Sequence, residues 1–186
     1  MDRFDKIVKM GKHTTEELTD YWMDYELYAS LEYWMMVTLL VVPLLILFFK
    51  IDKNKIFLIG FYGYSFHLIF GYLDLYGKHN GLWNYPFPLI PAIPGFAIDG
   101  SLVPVAFMLV YQWTLNNNKN YYLYSFITAL IFSFIIKPIL VQLELFKLYE
   151  NIKYFHLLIG YIFVLLTAKF ITNVFLWTQK KFIKLT

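Results

Sequence analysis

The chain contains no cysteine. Disulfides, thiolate nucleophiles and cysteine-ligated zinc or iron–sulfur centres are therefore excluded. Charge is scarce as well. Only 16% of the 186 residues are Asp, Glu, Lys or Arg, against about a quarter in an ordinary soluble domain. A net charge of +3 is too small to recruit nucleic acid. The HExxH, GxSxG, P-loop and Rossmann patterns are missing, so no common catalytic or cofactor motif is present, and no cofactor is expected. There is no convincing internal repeat. The N-terminal MDRFDKIVKMGKHTTEELTDYW has no apolar stretch beside its basic residues and does not read as a cleavable signal peptide.

What the chain has is apolar surface: 59% of it is hydrophobic and 22% aromatic. A soluble fold of this length could not bury so much without exposing a large apolar patch. Five apolar runs stand out, at 31–49, 56–76, 99–114, 121–141 and 154–177. A bilayer crossing takes about 20 helical residues, and the third run is short if it begins at Asp99. The reading is all-α: an integral membrane helix bundle of about five transmembrane helices. Residues 1–30 form an amphipathic helix, on the membrane surface or packed on the bundle, or else an ordinary solvated helix feeding the first span. Thr14-Thr15-Glu16-Glu17 resembles its start, a capping threonine followed by acids. Residues 179–186 are a basic tail. Lys50, Lys53, Lys55, Lys119, Lys180, Lys181 and Lys184 share one side of a five-span chain. By the positive-inside rule that side is cytoplasmic, with the N-terminus outside. The expected location is a bacterial cell membrane. Trp34, Trp113 and Trp177 fit as interface anchors.

Polar groups inside spans are costly, and each calls for a reason. Gly60, Gly63, His67, Gly71 and Asp74 fall on one face of the second run, because residues three and four apart share a helix face. That face is either a close-packing surface with a hydrogen-bonded histidine or the wall of a cavity with His67 as proton carrier or ligand. In the fourth run Ser125, Ala129, Ser133 and Lys137 recur every four residues. Lys137 either snorkels to the outer surface or pairs with Asp74 or Asp99. Lys169 is expected to snorkel to the other surface beside Asn173. Asp74, Asp99, Lys137, Glu144 and His156 should gather at the outer end. No metal motif is present, and a site assembled across helices from His67, Asp74 and Asp99 is the minor alternative to none.

The centre of the chain reads NGLWNYPFPLIPAIPGFAIDG, with prolines at 86, 88, 91 and 94. Such spacing forbids a regular helix. Irregular backbone survives at membrane depth only when protein or a cavity surrounds it. The segment is thus an outer cap or a re-entrant loop. Asp99 follows at the expected N-cap of the third span, or else faces a pocket roofed by Trp83, Tyr85 and Phe87. Candidate ligand-binding residues are Trp83, Tyr85, Asp99, His67, Asp74 and Lys137. If the protein is an enzyme, Asp99 and Asp74 are the candidate acids.

Tyr72-x-Asp74, then Gly81-Leu82-Trp83-Asn84-Tyr85-Pro86, a proline-rich link, an acid and an apolar run ending near Tyr111 resemble the small multi-pass lycopene cyclase domains. That resemblance covers roughly residues 70 to 112. It implies an acid that protonates an isoprenoid end group. Their paired acids are not reproduced, since Gly95 and Phe96 follow Pro94 and Asp99 alone remains. As a whole the sequence looks closer to small multi-pass membrane proteins of spore-forming Firmicutes, which share the Gly-x-Trp-x-Tyr-Pro stretch, a resemblance that implies no activity. Three functions follow as expectations. The first is a non-enzymatic bundle acting through membrane lipid, a protein partner or a homo-oligomer. The second is an enzyme or carrier for an isoprenoid-like molecule in an outward-facing pocket. The third is a proton path through His67 and Asp74.

Overall fold

The computed structural model of the protein describes residues 2–149 and 151–183. Lys184 of the basic tail lies outside them. The helices are α1 (Arg3–Asp24), α2 (Leu31–Lys50), α3 (Ile56–His79), α4 (Val103–Asn116), α5 (Tyr121–Ile131), α6 (Lys137–Gln142) and α7 (Tyr154–Ile183). A π-helical turn, Ile98–Leu102, leads into α4, and a second, Phe132–Ile136, joins α5 to α6. Among the described residues, five helical segments are long and apolar enough to cross a membrane. This is a multi-pass, all-α bundle, and the short third span occupies Ile98–Asn116.

Both π turns stop two residues short of a proline, Pro104 in one case and Pro138 in the other. Proline offers no N–H and clashes with the carbonyl four residues back, so the helix widens there. The widening sets the phase of the fourth span. Over the twelve residues from Ser125 to Lys137 a uniform α-helix would turn a four-residue repeat by about 120° off one face. With the π turn between them, Ser125, Ala129, Ser133 and Lys137 are all buried.

Helix ends are closed by left-handed residues. Gly81 (φ 65) follows α3, Asn118 (φ 51) follows α4 and Glu144 (φ 56) follows α6. At each, the next residue's N–H reaches back to a carbonyl of the last turn: Leu82 to Gly77, Lys119 to Thr114, and Leu145 to Leu140, all at 2.9 Å. Glycine and asparagine accept that conformation readily, and glutamate does not. Glu144→Gly is expected to raise stability by roughly 0.5–1 kcal/mol, read as a higher melting midpoint in detergent.

The core is aromatic. Phe66 stacks on Phe107 with centroids 4.4 Å apart, and Tyr161 sits 5.5 Å from Phe70 and 5.8 Å from Phe132. At one end of the bundle, here the lysine end, Gln112 bridges the Lys50 carbonyl and the Asp52 N–H, at 2.9 and 2.7 Å. The Tyr62 and Tyr121 hydroxyls meet at 2.7 Å nearby. Lys169 does not snorkel as expected. It is half-buried, donates to the Tyr111 hydroxyl at 3.3 Å and lies over the Tyr111 ring, while Asn173 is exposed. Two tyrosine faces attract the ammonium more than a distant interface does.

The opposite end, the proline end, carries α1, residues 80–97, residues 143–149 and residues 151–153. No residue of α1 is buried; Trp22 ties it to the rest, its indole N–H donating to the Pro88 carbonyl at 3.1 Å and its ring packing near Tyr28 and Tyr33. The helix starts eleven residues before the expected Thr14. Asp2 caps it and Asp5 returns the bond, a capping box made with acids. Thr14 and Thr15 are mid-helix and donate back to the Met10 and Gly11 carbonyls.

Candidate functional site

Asp74 lies five residues before the end of α3, about 7 Å down at 1.5 Å per residue, and is 3% exposed. Lys78, one turn on, places its ammonium 2.7 Å from Oδ2. Oδ2 has no hydrogen bond of good angle and relies on that charge. Oδ1 accepts from the Trp83 indole N–H at 2.8 Å and from the Tyr85 hydroxyl at 2.7 Å.

Local structure delivers both donors to one carboxylate. The turn at Gly81 reverses the chain at the end of α3. Trp83–Asn84 then pairs as β1, antiparallel with β2, Lys147–Leu148. Side chains two apart on an extended chain point the same way, so Trp83 and Tyr85 both face α3. The indole lies on Gly77, where any Cβ would overlap its ring. Burial, and then the negative charges of Asp99 and Asp74, hold the Tyr85 phenol well above its usual range. It therefore stays a hydrogen-bond donor.

Asp99 is not the helix cap the sequence suggested. It sits inside the π turn, and no side chain caps that turn. Its carboxylate is 7% exposed and takes one long bond, 3.5 Å, from the Tyr85 hydroxyl. No cation lies within ion-pair distance of it among the described residues. Gly95 lets the two acids approach: a Cβ there would sit 2.5 Å from Asp99 Oδ2 and 2.8 Å from Asp74 Oδ2. The Asp99 carbonyl has no helical donor five residues on, because that residue is Pro104. His67 supplies it, donating from Nδ1 at 2.6 Å. His67 is thus a hydrogen-bonded packing residue on this face, and it turns its ring nitrogen to backbone rather than joining the carboxylates as a ligand set.

Lys137 is buried, at 3% exposure, and does not snorkel. It also does not form the expected direct pair with Asp74 or Asp99. Its ammonium lies 3.5 Å from the centroid of the Phe146 ring and 5.5 Å from that of Tyr85. Phe146 is carried there by the turn at Glu144, itself exposed. The small-residue stripe of α3 divides. Gly63 receives the Met108 side chain, whereas nothing lies within 4 Å of a Cβ built on Gly60 or Gly71.

The structure therefore brings together Asp74, Asp99, Tyr85, Trp83 and Lys137. It also adds Lys78, Gly77, Gly95 and Phe146, which the sequence reading passed over. Lys78 had a signal, since Asp74 and Lys78 stand in the i,i+4 relation of helical ion pairs. Phe87, expected in the roof, is half-buried. Beside the cluster lies a cavity of about 70 Å³ between α3, α6 and α7, lined by Asp74, Lys137 and Tyr161. The stacked layer of Phe66, Phe107, Phe132 and Tyr161 lies between this cluster and the Tyr62–Tyr121 pair, and His67, beside it on α3, is committed to the Asp99 carbonyl. No protein-family model, curated protein or solved structure matches the chain.

Proposed function

We propose that this chain is a non-enzymatic protein of a bacterial plasma membrane, acting through lipid or protein contacts. Its buried ion cluster is a latch that holds the proline segment against the bundle. The observation that carries this reading is the commitment of Asp74: both oxygens are engaged by Lys78, Trp83 and Tyr85 of its own chain. Oδ1 already accepts two hydrogen bonds, and Oδ2 faces the Lys78 ammonium. Asp99, the acid that the cyclase resemblance would use, does not line the cavity. The cavity is also far smaller than the roughly 300–1,000 Å³ of ordinary small-molecule sites, which weighs against a whole isoprenoid chain inside it. A proton path is disfavoured by the aromatic layer.

The lysine end is proposed to face the cytoplasm. Lys50, Lys53, Lys119, Lys180 and Lys181 crowd it close to the span ends, while of the other end's lysines Lys78 and Lys137 are taken up inside the protein and Lys147 and Lys153 are exposed.

Asp99→Asn is the discriminating substitution. Asparagine keeps an acceptor for Tyr85 and removes a like charge facing Asp74. Stability should change by less than about 1 kcal/mol. Mass spectrometry after gentle extraction should find the same lipids and proteins with wild type and variant. A stoichiometric isoprenoid-like molecule that is lost from Asp99→Asn would contradict the reading and restore the acid to a catalytic role.

A further inference from the structure

The cavity beside the latch is lined by two donors without a partner among the described residues, and by Asp74, whose Oδ2 is opposed by the Lys78 ammonium alone. Lys137 makes no hydrogen bond or ion pair among the described residues. Its contact with the Phe146 ring engages one face of an ammonium that carries three N–H donors. The Tyr161 hydroxyl, on a residue 2% exposed, has no partner either. Both line the same cavity, whose floor is the buried Phe70, Phe146 and Leu157. Its less buried members, Leu73 of α3 and His156 and Gly160 of α7, mark the mouth.

Two buried donors facing one apolar space need an acceptor. At about 10–15 Å³ per water site, the space takes several waters or one small oxygen-bearing group. Charge selects among acceptors. Asp74 lines the same cavity, so a bound anion would face its carboxylate inside a largely apolar wall. An uncharged oxygen would not. A carbonyl oxygen has two lone pairs, one for each donor.

We propose that this cavity binds the carbonyl end of an uncharged, membrane-soluble molecule of the quinone or ketone class, with Lys137 and Tyr161 donating to its oxygen. The rest of the ligand leaves through the mouth between Leu73 and Gly160. The role is binding alone and uses neither carboxylate as an acid.

The test uses the full chain in lipid nanodiscs, titrated with menadione while tryptophan fluorescence is followed. Trp83 lines the cavity, and quinones quench indole. Saturable quenching is expected. Methylnaphthalene, which has the shape without the carbonyls, should bind about tenfold more weakly, the usual worth of hydrogen bonds that include a charged donor, as judged by competition against menadione. Tyr161→Phe should fold at least as well as wild type, since it removes a hydroxyl without a partner, and should weaken menadione several-fold. Lys137→Met should weaken it about tenfold or more. In infrared difference spectra the bound carbonyl stretch should shift down and move back in Tyr161→Phe. Equal binding of menadione and methylnaphthalene would overturn the proposal, as would no saturable binding at all. So would unchanged affinity in Tyr161→Phe, and tighter competition by palmitate would replace the uncharged class with an anionic one.

Discussion

Asp74→Ala is expected to be the most damaging single substitution in the proline end, costing about 3–5 kcal/mol of stability. It strands the Lys78 ammonium, whose side chain is 12% exposed, without its counter-charge. It also removes the acceptor of the Trp83 indole and the Tyr85 hydroxyl, and buried donors without partners cost about 1–3 kcal/mol each. Thermal melting in detergent measures the loss. The double variant Asp74→Leu with Lys78→Met separates the two contributions. Removing both charges together should recover the ion-pair part, because apolar replacements of buried pairs are often neutral. It should stay below wild type, since Trp83 and Tyr85 still lack an acceptor. Full recovery would mean that the hydrogen bonds of the latch contribute little.

The second large effect is steric. Gly77→Val should cost about 3 kcal/mol, because overpacking a filled site costs about 1–3 kcal/mol and here displaces Trp83 from Asp74 as well. A Cβ at 77 would overlap the Trp83 indole, so that ring must shift. Gly60→Ala and Gly71→Ala are the controls on the same helix. With open space around each Cβ, both should be neutral or stabilising by up to about 1 kcal/mol, the helix preference for alanine. Melting midpoints of the three variants would show whether the glycines of α3 act as a continuous packing face or as separate positions. If all three fell together, the continuous face would be right and the structural division wrong.

Much of the architecture was legible because length and hydropathy are properties of a segment on its own. The runs 31–49, 56–76, 99–114, 121–141 and 154–177 match helices that differ from them mainly at their ends. The burial of Lys137 was only partly readable: Ser125, Ala129 and Ser133 hint at its face, but the four-residue spacing stays on one face only because of the π turn at Phe132–Ile136. Its surroundings were not, because Phe146 arrives by a left-handed Glu144, a residue that gives no turn signal. Asp99 shows the limit of local rules. An acid after Pro-Gly at the start of an apolar run satisfies the N-cap pattern, yet Pro104 opens a π turn there and Gly95 lets the carboxylate face Asp74. Thr14 misled for the converse reason. A threonine before two glutamates looks like a start even when the true box, Asp2 with Asp5, lies a few turns earlier.

The latch is tested most directly by hydrogen exchange over residues 86–99 in wild type, Asp74→Ala and Asp99→Asn. The amides of Ile93, Phe96, Ile98 and Asp99 bond only within the proline segment and its turn, to Ile90, Ile93 and Gly95. If Asp74 holds that segment down, their exchange should rise strongly in Asp74→Ala, which removes the acceptor of Trp83 and Tyr85, and stay near wild type in Asp99→Asn. Equal protection in Asp74→Ala and wild type would contradict the latch, because the segment would then be held without the acid on which the whole cluster converges.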